Sequence, residues 1–175
     1  MQNIYKIKRA FLIPFSVTIV LLFLLFGLSL ITGQTWEKII LAVLCVSILA
    51  IGIEAARREI IVNEEGLKIK KFFRVKNFNW PEITHLAVVV MRNKAYFLLT
   101  TTKGFYIFSN LLENHAALVR FLLDKLGQEK VEVEVTNYLE HPIERRSLIV
   151  MSWVAVIVIS IIIILKLVIA CLNIA

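Results

Sequence analysis

The sequence predicts an α+β membrane protein, with three transmembrane helices and a cytoplasmic antiparallel β domain closed by one helix. Two observations support this fold class. Long apolar runs lie at both ends of the 175-residue chain, and a run of about 20 apolar residues can cross a bilayer as a helix. Between them, residues 57–146 alternate apolar and polar side chains at the two-residue period of half-buried strands. This segment is therefore the one predicted soluble domain.

The predicted amino-terminal transmembrane hairpin covers residues 1–56, with helices at about 11–31 and 38–56. No charged side chain occurs from Ala10 to Trp36, as expected of a helix in hydrocarbon. A secretory signal peptide is the alternative, but its apolar region would be shorter, and no small-residue cleavage site precedes the second apolar run. The linker from Thr32 to Trp36 is short and polar, so we expect a tight turn between the two helices.

A third transmembrane helix is predicted for residues 147–175, which carry a single charged side chain, Lys166. The orientation follows from Lys and Arg near the helix ends, which favour the cytoplasmic side. These residues cluster on one side of all three helices, at Lys6, Lys8, Arg9, Arg57, Arg58, Arg145 and Arg146. We therefore expect a multi-pass protein of the cell (inner) membrane, with the amino terminus and middle domain in the cytoplasm and the carboxyl terminus outside.

The net charge of +7 suggests nucleic-acid binding at first sight. Residues 57–146 contain 15 Lys and Arg against 11 Asp and Glu, but four of these basic residues flank the membrane helices. Without those four, the domain is neutral. The basic balance therefore reflects membrane topology, and we expect no nucleic-acid partner.

Short β-rich or alternating segments of the middle domain, bounded by turn residues, predict strands at residues 59–63, 67–70, 75–80, 83–91, 96–102, 105–108 and 131–135. One amphipathic helix is predicted before the last of them. Asn110 and Glu113 have the spacing of a capping box at its start, and Gly127 supplies its stop. We expect Trp80 and Ile83 to lie in the core, with Trp80 packed against this helix.

The stretch REIIVNEEGLKIKKFFRVKNFNWPEITHLAV resembles the opening of bacterial pleckstrin-homology-like (PH-like) domains. Such domains often begin with a strand, an acidic-Gly turn, a second strand and a W-x-x-I step into the next strand. The corresponding residues here are Glu64-Glu65-Gly66 and Trp80-Pro81-Glu82-Ile83. The resemblance covers about residues 57–127. It implies a PH-like domain appended to paired transmembrane helices.

Patterns of catalytic and metal-binding residues are missing from the sequence. His85, His115 and His141 are widely separated and lack partners at metal-ligand spacing, and no nucleophile elbow or Gly-rich phosphate loop occurs. Charge inside the membrane would mark a transport path, but Glu54 and Lys166 are predicted at opposite faces of the membrane and cannot readily pair. We therefore expect no enzymatic activity, no catalytic residue, no metal and no cofactor.

A basic and aromatic turn is the candidate contact site. Its residues are Lys70, Lys71, Phe72, Phe73 and Arg74. Anionic lipid attracts a nearby Lys or Arg by about 1 kcal/mol, and the two phenylalanines could insert. A solvated strand face with aromatic residues in the core explains the same pattern, so both interpretations stand.

These observations predict a non-enzymatic integral membrane protein that presents a cytoplasmic PH-like domain for docking of a protein or of lipid. The alternative is an accessory or assembly subunit of a larger multi-subunit membrane complex, held mainly by helix packing. The expected partners are membrane lipids and either a membrane protein or a second copy of the chain.

Single-cysteine labelling tests the predicted orientation. With Cys45 and Cys171 replaced by Ala, we expect a membrane-impermeant maleimide to label Ala175→Cys from outside intact cells. Lys103→Cys should be labelled only after permeabilisation, because the basic flanks keep the middle domain in the cytoplasm. Labelling of Lys103→Cys in intact cells would contradict this orientation.

Overall fold

The computed structural model describes residues 3–70 and 74–172, and this part of the chain divides into two compact units. The first, here called the β unit, joins a short amino-terminal strand to the segment Arg57–Ser147. The second, here called the helical unit, contains residues 9–56 and the segment that begins at Leu148. The structure thus places residues 3–8 in the β unit instead of with the amino-terminal hairpin.

The elements of the described residues are, in chain order, β1 (Asn3–Lys6), α1 (Arg9–Thr32), α2 (Thr35–Arg57), β2 (Glu59–Val62), β3 (Gly66–Lys70), β4 (Val75–Asn79), β5 (Ile83–Met91), β6 (Lys94–Thr101), β7 (Gly104–Ser109), α3 (His115–Leu126), α4 (Val133–Glu140) and α5 (Ser147–Leu172). Two single turns of 3-10 helix occur at Trp80–Glu82 and Gln128–Lys130.

The helical unit contains α1, α2 and α5. Among the described residues, these three helices are long and apolar enough to cross a membrane. The predicted apolar helices are thereby confirmed, and the chain fits a membrane protein. Only Gly33 and Gln34 separate α1 from α2, so the tight turn is confirmed as well.

Helices α1 and α2 approach each other closely at Gly52. A Cβ atom at this position would lie 2.8 Å from Ile19 Cδ1 and 3.0 Å from Phe15 Cε1. A larger side chain would therefore require the Ile19 or Phe15 side chain to shift, and small residues commonly occur where helices pack this closely. Near the same interface, Cys45 is buried and its thiol donates to the Leu22 carbonyl oxygen, with the sulfur 3.6 Å away.

Two antiparallel sheets form the β unit. The strand orders are β1-β2-β3-β4 and β5-β6-β7. The alternation of buried and exposed residues predicted from the sequence is clearest in β6, which buries every second side chain. The largest fully buried side chains of the unit are Phe97, Phe108, Ile60, Leu67, Ile69, Ile83, Leu86, Leu99, Leu118, Leu122, Val62 and Val119.

Strand β1 was not predicted. It pairs antiparallel with β2, with Asn3 opposite Val62 and Lys6 opposite Glu59. The four residues of β1 are too few, and too close to the long apolar run of α1, for a two-residue alternation to be recognised. The partner strand is also separated from β1 by two complete helices, so the pairing has no local signal.

The predicted capping box at Asn110 and Glu113 is wrong. Helix α3 begins five residues after Asn110, and the residue before it, Asn114, has a left-handed backbone with φ 51°. Asn110 is fully buried, and its Nδ2 donates to the Ile143 carbonyl oxygen at 2.8 Å. This tertiary hydrogen bond takes the place of the expected cap. The predicted stop is confirmed, because the Gly127 N–H donates to Leu123 O and Gly127 has φ 74°.

The predicted strand at residues 131–135 is also wrong. Val131 makes one parallel bridge to Leu86, and the chain then enters α4. Val133 is 71% exposed, whereas Val135, Tyr138 and Leu139 are buried. The buried positions, counted from Val131, follow the i, i+4, i+7, i+8 spacing of a helix face. The helical pattern was present but was hidden by the strict valine-glutamate alternation.

Trp80 does not lie in the core as predicted, whereas Ile83 does. Trp80 is half-buried at the start of a 3-10 turn. Its ring lies 6.0 Å from the Phe121 ring of α3, and its Nε1 donates to the Glu64 carbonyl oxygen at 2.9 Å. The expected contact with the helix is therefore confirmed, but Trp80 covers the edge of the core.

We expect Trp80→Ala to lower the free energy of unfolding by about 1–3 kcal/mol, since the change removes a partly exposed ring contact and one hydrogen bond. Trp80→Phe keeps an aromatic ring but removes the Nε1–H donor, and should lose about 1 kcal/mol. Thermal unfolding of the full chain in detergent measures both. Ile83→Ala, at a fully buried site, should cost more, about 2–5 kcal/mol. An equal loss for Trp80→Ala and Ile83→Ala would contradict this placement of Trp80.

A buried polar network joins α3 to α4. His115 Nε2 lies 2.8 Å from Tyr138 Oη, and the Tyr138 hydroxyl donates to the Ile143 carbonyl oxygen at 3.2 Å. Burial lowers the pKa of His115 below its ordinary 6.5, and the nearby Lys8 ammonium acts in the same direction. The folded protein therefore holds a neutral imidazole in its core.

This depressed pKa makes stability depend on pH. Below about pH 6.5 the unfolded chain binds a proton at His115 that the folded chain does not, so the free energy of unfolding should fall as the pH drops. We expect His115→Gln to show a shallower loss between about pH 6.5 and 5. Denaturant unfolding of both proteins across this range measures the difference. Identical slopes would show that His115 is not held neutral.

Candidate functional site

A cleft of about 300 Å³ lies between β4 and β7 and is the candidate functional site. We call it the β4–β7 cleft. These two strands are edge strands of the two sheets, so their outer sides are not covered by a further strand of their own sheets. The described residues that line the cleft are Arg74, Lys76, Phe105, Tyr106 and Ile107.

The apolar side of the cleft comes from the alternation of β7. Tyr106 and Phe108 point into the core, while Phe105 and Ile107 point outward and are 71% and 46% exposed. The Tyr106 ring contacts the Phe78 ring, with centroids 6.2 Å apart. Two large apolar side chains at alternate positions of an edge strand form an unusual solvent face, because that position normally carries polar residues.

The basic side of the cleft comes from β4 and the residue before it. Arg74 and Lys76 are exposed, and Lys76 Nζ lies 6.0 Å from the centre of the Tyr106 ring. No acidic side chain is among the described residues that line the cleft. Cationic and apolar side chains therefore share one surface.

Arg58 links β7 to the end of α2 in the chain. Its guanidinium Nη2 donates to the Ile107 carbonyl oxygen at 3.1 Å, and Arg58 directly follows Arg57, the last residue of α2. The arginine predicted as a topology signal thus has a second role within the β unit: it binds the outward carbonyl of an edge strand.

The structure describes two of the five residues of the predicted basic and aromatic turn, Lys70 and Arg74. Lys71, Phe72 and Phe73 lie outside the described residues. Lys70 ends β3, and its Nζ lies 2.5 Å from Glu59 Oε1, so its charge is paired. Arg74 lies in the cleft.

The structure adds Lys76 and the three β7 residues to Arg74. The β7 residues were missed because they are distant from the basic turn in sequence. The available signal was the stretch Gly104-Phe105-Tyr106-Ile107-Phe108, in which apolar side chains occupy both faces of a predicted strand.

A second polar cluster lies in the helical unit and involves Ser29, Glu37 and Lys166. Lys166 Nζ donates to Ser29 Oγ at 2.7 Å and to Glu37 Oε1. The Ser29 hydroxyl donates to the same carboxylate oxygen at 2.9 Å. The sequence analysis paired Lys166 with no residue, and the structure supplies its counter-charge from Glu37, the third residue of α2.

The Ser29–Lys166 hydrogen bond also has the composition of a nucleophile–base pair, as in Ser-Lys hydrolases. Its surroundings do not suit that chemistry. Ser29 is fully buried, so an acyl group cannot reach its hydroxyl, and Lys166 donates to a carboxylate instead of standing ready to accept a proton. The cluster has the geometry of an interhelical contact.

Metal binding has no support in the described ranges 3–70 and 74–172, where no group of three His, Cys, Asp or Glu side chains is placed to hold an ion. Comparison with known proteins gives no match: no family model, no curated protein and no solved structure is significantly similar to the chain. Within the described residues, the β4–β7 cleft is the surface feature that bears most directly on function.

Proposed function

We propose that this chain is a non-enzymatic membrane protein whose β unit is a cytoplasmic PH-like domain that docks on the anionic lipid surface of its own membrane. Two antiparallel sheets of four and three strands, followed by α3, support the PH-like assignment. The basic flanks of the apolar helices support the cytoplasmic orientation.

The observation that carries this proposal is the combination of side chains in the β4–β7 cleft. Arg74 and Lys76 can each gain about 1 kcal/mol from anionic headgroups. Phe105 and Ile107 can bury exposed apolar area among the lipid chains. A lipid surface offers both kinds of contact at once, which favours lipid over a protein partner for this site.

Because the β unit is tethered to the membrane helices, a weak attraction to lipid is enough to keep it docked. The β unit is continuous with α2 through Arg57 and with α5 through Ser147, so its local concentration at the membrane is high. Under that condition a contact worth a few kcal/mol keeps a surface engaged, whereas the same contact would not recruit a free protein.

The alternative function, an accessory or assembly subunit of a larger membrane complex, is favoured by α5. Ser152 is the only buried residue of this helix among those described. A helix of a partner protein can pack against the apolar surface that α5 leaves exposed. Co-purification of a stable multi-subunit assembly after mild detergent extraction would favour the subunit function.

A lipid-contact measurement on the full chain tests docking. A fluorophore attached to Val75→Cys, in a protein with Cys45 and Cys171 replaced by Ala, reports from an exposed position beside the cleft. We expect quenching by lipid-borne nitroxides in nanodiscs that contain anionic lipid, weaker quenching in neutral nanodiscs, and a loss with salt, because the screening length is about 8 Å at physiological ionic strength.

Substitutions separate the two contributions. Arg74→Gln with Lys76→Gln should reduce docking on anionic lipid about 30-fold, which corresponds to about 2 kcal/mol, and Phe105→Ser should reduce docking on both lipids. Arg92→Gln with Lys94→Gln removes the same charges at the β5–β6 turn and is the matched control. Equal effects of the two charge pairs, or no quenching in either nanodisc, would contradict docking through the cleft.

A further inference from the structure

Helix α5 has little packing against the α1–α2 hairpin. Exposed large apolar side chains occur along it from Val150 to Leu172. Ser152 is its only buried residue within the described part of the chain, and the Ser152 hydroxyl donates to the Leu148 carbonyl of the same helix at 2.8 Å. Apolar burial therefore contributes little to holding α5 in place.

Lys166 is the polar side chain of α5 that reaches the other helices. Ser160, like Ser152, donates within α5, to the Val156 carbonyl oxygen at 2.7 Å. Lys166 instead donates to Ser29 of α1 and to Glu37 of α2. One ammonium group thus joins all three helices of the unit.

Because the cluster is largely buried, each charge in it requires a partner of opposite charge. Ser29 is fully buried, and the side chains of Glu37 and Lys166 are only 25% and 24% exposed. A lysine in an apolar helix is costly unless it finds a partner or reaches water. Glu37 has the same requirement, and each charge meets it for the other.

The α1–α2 hairpin positions the two groups that accept from Lys166 through a contact of its own, between Ser29 and Glu37. Ser29 is four residues before Gly33 in the turn, and Glu37 is four residues after it. The Ser29 hydroxyl donates to Glu37 Oε1 at 2.9 Å, which fixes the carboxylate at the turn end of the hairpin. This pair supplies two oxygen atoms to one incoming ammonium group.

We propose that the turn end of the α1–α2 hairpin is a binding site for a lysine-bearing apolar helix, which α5 of the same chain occupies through Lys166. The three residues form a lock that sets the register of α5 against the hairpin. This proposal is independent of lipid docking by the β unit.

Release of α5 from a cut chain tests the lock. A specific protease site inserted between Arg146 and Ser147 allows the purified full chain, tagged at its amino terminus, to be cut in detergent. We expect the wild-type protein to retain the α5 fragment on the affinity resin. Lys166→Met and Glu37→Gln should each reduce retention between about threefold and tenfold, because the interhelical hydrogen bonds are lost. The exchange Glu37→Lys with Lys166→Glu should recover much of it.

Matched controls give the experiment its specificity. Lys38→Met removes a lysine beside Glu37, and Glu54→Gln removes the other carboxylate of α2; neither should change retention. Retention by Lys166→Met equal to wild type would overturn the proposal, as would loss of α5 from the cut wild-type protein. Lys166-dependent recovery of a second, differently tagged copy would overturn the assignment of the site to the chain's own helix.

Discussion

The antiparallel pairing of β1 with β2 joins two parts of the chain that the whole α1–α2 hairpin separates. Lys6 lies opposite Glu59, so the chain leaves the β unit just after β1 and returns to it just before β2. Without β1, the fully buried β2 residues Ile60 and Val62 would belong to an unprotected edge strand. The sheet therefore depends on a strand that precedes the first apolar helix, and residues 57–146 alone do not contain the complete fold.

The carboxyl-terminal exit from the β unit is tied to the same region. Lys8 Nζ lies 3.5 Å from Glu144 Oε1, and Lys8 also donates its backbone N–H to Leu111 O. The Ile143 carbonyl accepts hydrogen bonds from Asn110 and from the Tyr138 hydroxyl. These contacts hold Asn110 and the Ile143 backbone together inside the β unit. They explain why α3 starts later than its local sequence signals suggest.

Pairing of charges decides which basic residues remain for a partner. Lys70, Lys103 and Lys125 each contact a glutamate within the β unit, at Glu59, Glu82 and Glu64 respectively. Lys103 lowers the pKa of Glu82, and Lys125 lowers the pKa of Glu64, in each case through a charge-assisted hydrogen bond. Arg74 and Lys76 instead border aromatic and apolar side chains of β7. The surface suited to docking is thus set by the exposed apolar side chains of β7 beside these two cations, which net charge cannot reveal.

The sequence by itself determined the elements that carry strong local signals. Length and hydropathy identified the three apolar helices, two-residue alternation identified β3 (Gly66–Lys70) to within one residue, and Gly127 marked the end of α3. Only the tertiary structure decided the pairing of β1, the buried role of Asn110, and the contact between Glu37 and Lys166. Each of these depends on a contact between residues far apart in the chain, and the energy of such a contact leaves no trace in the local pattern. A lone lysine in an apolar helix could be predicted to need a partner, but only the folding of α1, α2 and α5 together supplies the carboxylate.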